Sequence, residues 1–496
     1  MASKHVLVLD LGTSGLRSLL APVDSPWELS PGASLRYRLS RSRSPDDLAA
    51  RFSPQDLQAR IIRVLQEGIA IADVAASDVS AIAITSQRQG VAFLDANGNA
   101  IYVGPNMDLR AVFEGAAMDD EHAALVYETT GHLPSFFFTP AKLRWWHNHH
   151  PRIAGRIKRV LTLGAWAAYQ LTGEQADTPS LLGEAGLLDV ASRQPATGLL
   201  NALGLDQSVI PPLVHEGQAA GKLTSQRAAE LGLPSGTPVY LAGPDTQCAL
   251  LGMGVAEPRN LGIVAGWSAP VQTVTESPVF DSQRRTWTGV HVLPERWVAE
   301  ANAGDAGGAL DMVRRILGPR GRLERFSDIA TRVPVGSNMT TTFWGPQALD
   351  LSSPGVSMGG LLTPIPITYN TLSASHLARA TLENIAYALR ECVERLKEVT
   401  GQPARSIHLS GGISQSPIFP QILADVLNAK VMLHHPNASA VGAAIAASGD
   451  VASLGKAASV HATAVAPDVR SVVDYADLYP RWLRLRERLQ ELSGEL

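Results

Sequence analysis

Val6-Leu7-Val8-Leu9-Asp10-Leu11-Gly12-Thr13-Ser14-Gly15-Leu16-Arg17-Ser18-Leu19-Leu20 is the stretch on which the reading of this chain turns. Two apolar runs flank a short polar segment rich in glycine and hydroxyls, which is the pattern of a β-hairpin. Gly12 and Gly15 would let backbone N–H groups approach oxyanions, Thr13 and Ser14 add hydroxyl donors, and Asp10 could hold a cation. The combination suits a metal-bound polyphosphate. An ordinary hairpin with a glycine-rich turn is written in the same letters.

At 496 residues the chain exceeds what one hydrophobic core usually supports, so two domains are expected, 1–254 and 255–496. A formal net charge of −4 supplies no global basic field, which argues against nucleic acid or an anionic membrane as partner. Only Cys248 and Cys392 occur, outside any CxxC pattern, so neither a disulfide framework nor a cysteine zinc site is expected, and the cytoplasm is the default location. No apolar run reaches the roughly 18 residues that a membrane span needs, and the protein is expected to be soluble.

Strand-like runs (79–85, 91–94) alternate with helix-like ones (141–147, 156–171), which indicates an α/β protein. A second glycine-containing strand-turn-strand, 260–274, echoes the first hairpin and suggests a duplicated architecture with two phosphate-facing turns across one cleft. The alanine-rich segment 438–447 reads as a packed helix, and 480–492 as a closing amphipathic helix opened by Pro480.

Three further segments carry candidate chemistry. Asp245 follows a strand (241–244) and begins a small-residue helix; it is either an N-cap or a general base for a bound hydroxyl. The turn Ser410-Gly411-Gly412, between a strand and the periodic stretch 418–427, could lie flat against a ring or phosphate, or simply connect two elements. The polar clusters Ser86-Gln87-Arg88-Gln89-Gly90 and Asn106-Met107-Asp108-Leu109-Arg110 suit the hydroxyls of a small polyol, or solvated loop ends. The group His147-Asn148-His149-His150 lacks acidic or cysteine partners at ligand spacing and reads as a surface helix end; Phe136-Phe137-Phe138 reads as core or pocket lining.

Taken in order, these segments resemble the FGGY family of carbohydrate kinases, over roughly residues 5 to 485. The resemblance implies two actin-like (ribonuclease H-like) ATPase domains flanking a central cleft, and an ATP-dependent kinase acting with Mg²⁺ on a small sugar or polyol. A pentulose such as xylulose leads, with glycerol, erythritol or an autoinducer-type furanone precursor as alternatives, and a homodimer is common among similar proteins. It implies Asp245 as catalytic base and Asp10 as the Mg²⁺ residue; Gly12, Thr13, Ser14 and Arg17 at the phosphates; and Gln87, Arg88, Gln89, Asn106 and Asp108 at the sugar. Gly266, Trp267, Gly307, Asp311, Gly411, Gly412 and Ser416 would border the nucleotide.

Departures from the family pattern are visible too. Trp267 stands where threonine is usual, Asn437 where glutamate is common and Ser416 where asparagine is frequent. A core position is the expected one for Trp267. An alternative of another class is a catalytically inactive ligand sensor of the same fold, in which Trp267 blocks the nucleotide; retention of Asp10 and Asp245 favours the enzyme.

Overall fold

The computed structural model describes residues 4–41, 48–317, 323–348, 358–365 and 372–493. These pack as two compact units. The first comprises Met1–Ala256, Thr275–Val298 and Ala438–Val460; the second comprises Glu257–Val274, Ala299–Asn437 and His461–Leu496. The expected cut at 254/255 thus lies beside the end of the first segment, and two later segments return to the first unit. The helix Ala438–Ala447 goes there because it is wholly apolar or small and packs face to face with Asp245–Gly252. A Cβ on Gly442 would lie 1.7 Å from the Cys248 carbonyl oxygen, so only glycine permits this approach.

The central sheet of the first unit runs Ala219–Lys222, Pro238–Pro244, Val79–Ser86, His5–Leu11, Gly15–Pro22, Ala33–Arg36. His5–Leu11 is antiparallel to Gly15–Pro22, pairing Asp10 with Arg17, which makes the expected hairpin. It is parallel to Val79–Ser86, which is in turn parallel to Pro238–Pro244. Alternation sends Leu7, Leu9 and Leu11 into one core and Val6 and Val8 into another, so both sheet faces are covered. Register then sets Asp10, Thr85 and Gly243 level with one another, so the chain emerges at one edge through Gly12, Gln87 and Asp245. In open α/β sheets ligands bind outside these carboxyl ends.

The second unit repeats the pattern. Asn260–Val264 is antiparallel to Pro270–Thr275 and parallel to Ser406–Ser410, with Val264 opposite Ser410. Its core gathers Ile263, Val271, Leu409 and the buried face of the helix Ala374–Thr400.

Two elements differ from the sequence reading. The stretch 156–171 is not one helix: Arg159–Thr162 is a strand pairing with Val91–Leu94, and Leu163–Thr172 is the helix. Thr162 separates them as N-cap, accepting a hydrogen bond from the Ala165 N–H at 3.3 Å, and the sheet edge outweighs the helical pattern. Pro480 does not open the last helix but lies inside Val469–Ser493. Burial of Tyr475, Tyr479 and Trp482 on one face, with Trp482 Nε1 donating to Asn384 Oδ1 at 2.9 Å, offsets the missing backbone bond.

Candidate active site

In the first unit Asp10 ends its strand almost fully buried. Its Oδ2 accepts from Ser439 Oγ at 3.1 Å, whereas Oδ1 is buried with no hydrogen-bond partner. Burial raises its pKa, against the opposing pull of Arg17 and of the Ser439 hydroxyl. Gly12 and Thr13 are partly exposed and Ser14 is exposed at the hairpin tip. Gly15 serves the sheet instead of an oxyanion, since a Cβ there would meet the Leu35 carbonyl oxygen at 2.5 Å.

Asp245 is the first residue of the helix Asp245–Gly252 and follows Pro244, which occupies the N-cap position. Its Oδ1 accepts only the N–H of its neighbour Thr246, at 2.9 Å, so it is not an N-cap. Its carboxyl is pushed up to about 7, chiefly by burial; Arg88 opposes the shift, while Asp10 and Glu184 add to it. A carboxylate with this affinity is matched to taking a proton near neutral pH.

The two polar segments 86–90 and 106–110 are tied largely to the fold. Gln87 staples the turn to the hairpin: Nε2 donates to the Gly12 carbonyl at 3.1 Å, and Oε1 accepts from the Asn106 N–H at 2.9 Å. Asn106 Nδ2 donates to Thr13 Oγ1 at 3.1 Å, leaving its Oδ1 buried and unpartnered. Gln89 has φ +60°, and its Nε2 is likewise orphaned. Asp108 is 0% exposed and accepts from the Ala50 N–H at 2.8 Å, Arg110 Nε at 2.7 Å and the Tyr102 hydroxyl. That carboxylate is consumed by the fold, so the expected role of reading sugar hydroxyls does not suit it. The Arg88 guanidinium is 3.3 Å from Glu184 Oε2 and 5.3 Å from the Trp287 ring centroid.

In the second unit Gly266 and Trp267 form the turn of the second hairpin. Trp267 is 49% exposed, which overturns the core position expected for it: the turn holds the indole outside the apolar cluster. The Gly307 N–H donates to the Trp267 carbonyl at 2.8 Å, which docks the start of the helix Ala306–Ile316 on that turn. Asp311 points outward and pairs with Arg315. Gly411 has φ +102°, a conformation that favours glycine, and Gly412 has open space where a Cβ would stand. Ser416 is buried, sharing a 2.7 Å hydrogen bond with Ser327 Oγ and accepting from the Phe419 N–H, so its hydroxyl is committed to the fold.

Sequence reasoning missed Glu184, Ser439, Tyr37 and Lys142. Tyr37 lies in the fields of Asp10 and Asp245. The Lys142 ammonium donates to the Gln89 carbonyl at 2.9 Å, and burial pulls its pKa down to about 8. Only Lys142 left a local trace, as a lone cation inside the apolar helix start 139–143. The histidine group closes the helix Thr139–His149, where His149 pairs with Glu114.

An N-terminal domain of the FGGY family of carbohydrate kinases matches residues 5–252, and the C-terminal domain of that family matches residues 261–449. The chain belongs to the FGGY family of carbohydrate kinases. It is accordingly an ATP-dependent sugar kinase, with a small-molecule sugar as its substrate. A putative sugar kinase, YoaC, of Bacillus subtilis is 28% identical over 89% of both chains. The autoinducer-2 kinase of Klebsiella pneumoniae is 27% identical over 89% of this chain and 85% of its own. Among solved structures, a xylulose kinase from Rhodospirillum rubrum superposes with a TM-score of 0.81 at 26% identity, covering 99% of this chain and 100% of its own. A gluconate kinase from Lactobacillus acidophilus gives 0.85 at 16% identity, covering 100% of each chain, which bears on the fold alone. The architecture is the two-domain actin-like ATPase fold of this family.

Proposed function

We propose that this FGGY kinase transfers the γ-phosphate of ATP, with Mg²⁺, to a hydroxyl of a small polyhydroxy ketone, a pentulose such as xylulose leading. The observation that carries the reading is Asp245: a carboxyl poised at about 7, at the strand edge it shares with Asp10. Asp245 accepts the proton of the attacking hydroxyl, a contribution of about 10²–10⁴ in rate, while positioning and charge neutralisation supply the larger share. The donor set suits Mg²⁺. Asp10 offers one buried, unpartnered carboxylate oxygen, Thr13 and Ser14 offer hydroxyls, and among the described residues no group of three or more His, Cys, Asp or Glu could cage an ion. A cation that keeps waters and leans on substrate phosphates needs no more than this. When bound it would neutralise charge on the phosphoryl group; Asp10 would hold it, and Arg17 would offset charge beside it. Gly266, Trp267, Gly307, Gly411 and Gly412 would border the nucleotide, with Ser416 bracing that border through Ser327 and Asp311 at the outer face of the helix Ala306–Ile316.

A furanone-precursor acceptor is the second reading, favoured by the 27% identity to an autoinducer-2 kinase. ADP release measured with ATP and Mg²⁺ across pentuloses, glycerol, erythritol and hydroxylated furanone precursors decides between them. Silence across the panel, together with no thermal shift on adding ATP, would refute the enzyme and leave the ligand sensor. The two cysteines, both buried and unpaired, suit a cytoplasmic location.

A further inference from the structure

The first unit also buries a carboxylate that acts on Asp245 and that the chemistry above does not use. Glu184 closes the short helix Pro179–Glu184 and is 2% exposed. Its Oε1 accepts from Gln247 Nε2 at 2.6 Å; its Oε2 accepts from an Arg88 Nη at 3.3 Å and faces His132 Nε2 at 3.8 Å. The strand Trp287–Val290 makes room for the pair, since a Cβ on Gly289 would lie 2.9 Å from Glu184 Oε1. His132 packs on Phe138 and Trp287 with ring centroids 4.9 and 5.4 Å apart, so an aromatic wall stands beside the charged groups. Glu184 and Gln247 are therefore braced from three sides, and Arg88 is braced with them.

Arg88 is also the cation that acts most strongly on Asp245. A guanidinium fork is the usual receptor for a ligand carboxylate. Here it is already engaged by a buried carboxylate of the protein. Drawing it away would take from the buried Glu184 its guanidinium partner, which is strongly unfavourable. An acidic acceptor would also enter the combined fields of Asp10, Asp245 and Glu184. A neutral acceptor meets neither obstacle.

We propose that Glu184 is a positioning residue that keeps Arg88 engaged and so restricts the acceptor to uncharged polyhydroxy compounds, sugar acids being rejected. The inference rests on the sugar-kinase reading of the Asp245 site and deepens it.

The experiment compares D-xylulose with D-gluconate as acceptors for the wild type, Glu184→Gln and Glu184→Asp, with ADP release and its pH dependence as readouts. Wild type is expected to favour the neutral acceptor by at least about a hundredfold in kcat/KM, and Glu184→Gln to narrow that ratio by about tenfold or more, because Arg88 loses its carboxylate partner. In the same variant the acidic limb of kcat/KM moves to lower pH, because a negative charge beside Asp245 has gone; a merely structural role would leave that limb in place. Glu184→Asp keeps the wild-type preference, and it carries the test if the Gln variant does not fold. Gluconate turned over as well as xylulose by the wild type, or an equal loss of both substrates with an unmoved pH limb, overturns the proposal. A wild type silent on every acceptor would instead refute the kinase reading. In that event a ¹³C NMR titration of the Asp245 carboxyl still decides: its midpoint falls in Glu184→Gln if the coupling is real and stays put if it is not.

Discussion

Replacing Asp245 by asparagine separates the cost of the proposed base from its use. The folded protein holds this carboxyl at about 7, against 3.8 for an unburied one, a difference of about 3 units and therefore about 4 kcal/mol between protonation states. Because the folded-state value is raised, the stability linked to the bound proton is complete below pH 3.8 and is lost as pH rises through about 7. Asparagine mimics the protonated acid and removes that dependence. The variant should therefore be more stable than wild type by about 4 kcal/mol at pH 8 but by only about 2 kcal/mol at pH 5, the gap opening with pH. Urea unfolding of the ligand-free protein in EDTA at the two pH values measures it, taken on the transition that reports the first unit. The same substitution lowers kcat by about 10²–10⁴, while wild-type kcat/KM rises about tenfold per pH unit below 7 and levels off above it. Stability that is unchanged, or raised equally at both pH values, would refute the buried-charge account; unchanged turnover would refute the base.

Asp10→Asn should abolish the Mg²⁺-dependent gain in turnover while leaving acceptor binding, measured calorimetrically, near wild type. Trp267→Ala should raise the KM for ATP by about two- to tenfold, since a stacked indole contributes about 0.5–1.5 kcal/mol, and should leave thermal stability nearly unchanged because the side chain is half exposed; an unaltered KM would place the indole outside the nucleotide site. Gly442→Ala should destabilise the protein by at least about 2 kcal/mol, because the new methyl group would collide with the Cys248 carbonyl, and a neutral result by differential scanning fluorimetry would disprove that close approach.

Much of this architecture is written in local order along the chain. Both hairpins, the parallel strands beside them and the glycine turn before the helix Phe419–Leu427 occur where apolar runs and turn residues put them. Asp10 and Asp245 stand out as candidates from the same source, because each stands near the end of an apolar strand, beside a turn. The stretch 156–171 and Pro480 were misread for one reason: a sheet edge or an aromatic core far away in sequence outweighs local propensity.

What the sequence by itself determined, then, is the hairpin grammar, the α/β class, the family, and which acids could act. Only the tertiary structure decided what surrounds those acids and their neighbours. Asp108 reads as a sugar contact until Ala50, Tyr102 and Arg110 are found to saturate it, and Trp267 reads as core until its turn leaves it exposed. Glu184 is silent in the sequence yet sits on Arg88, 96 positions away along the chain, and acts on Asp245. The physical reason is that propensity acts over a few residues along the chain, whereas desolvation and Coulombic coupling depend on distance in space, which folding alone sets.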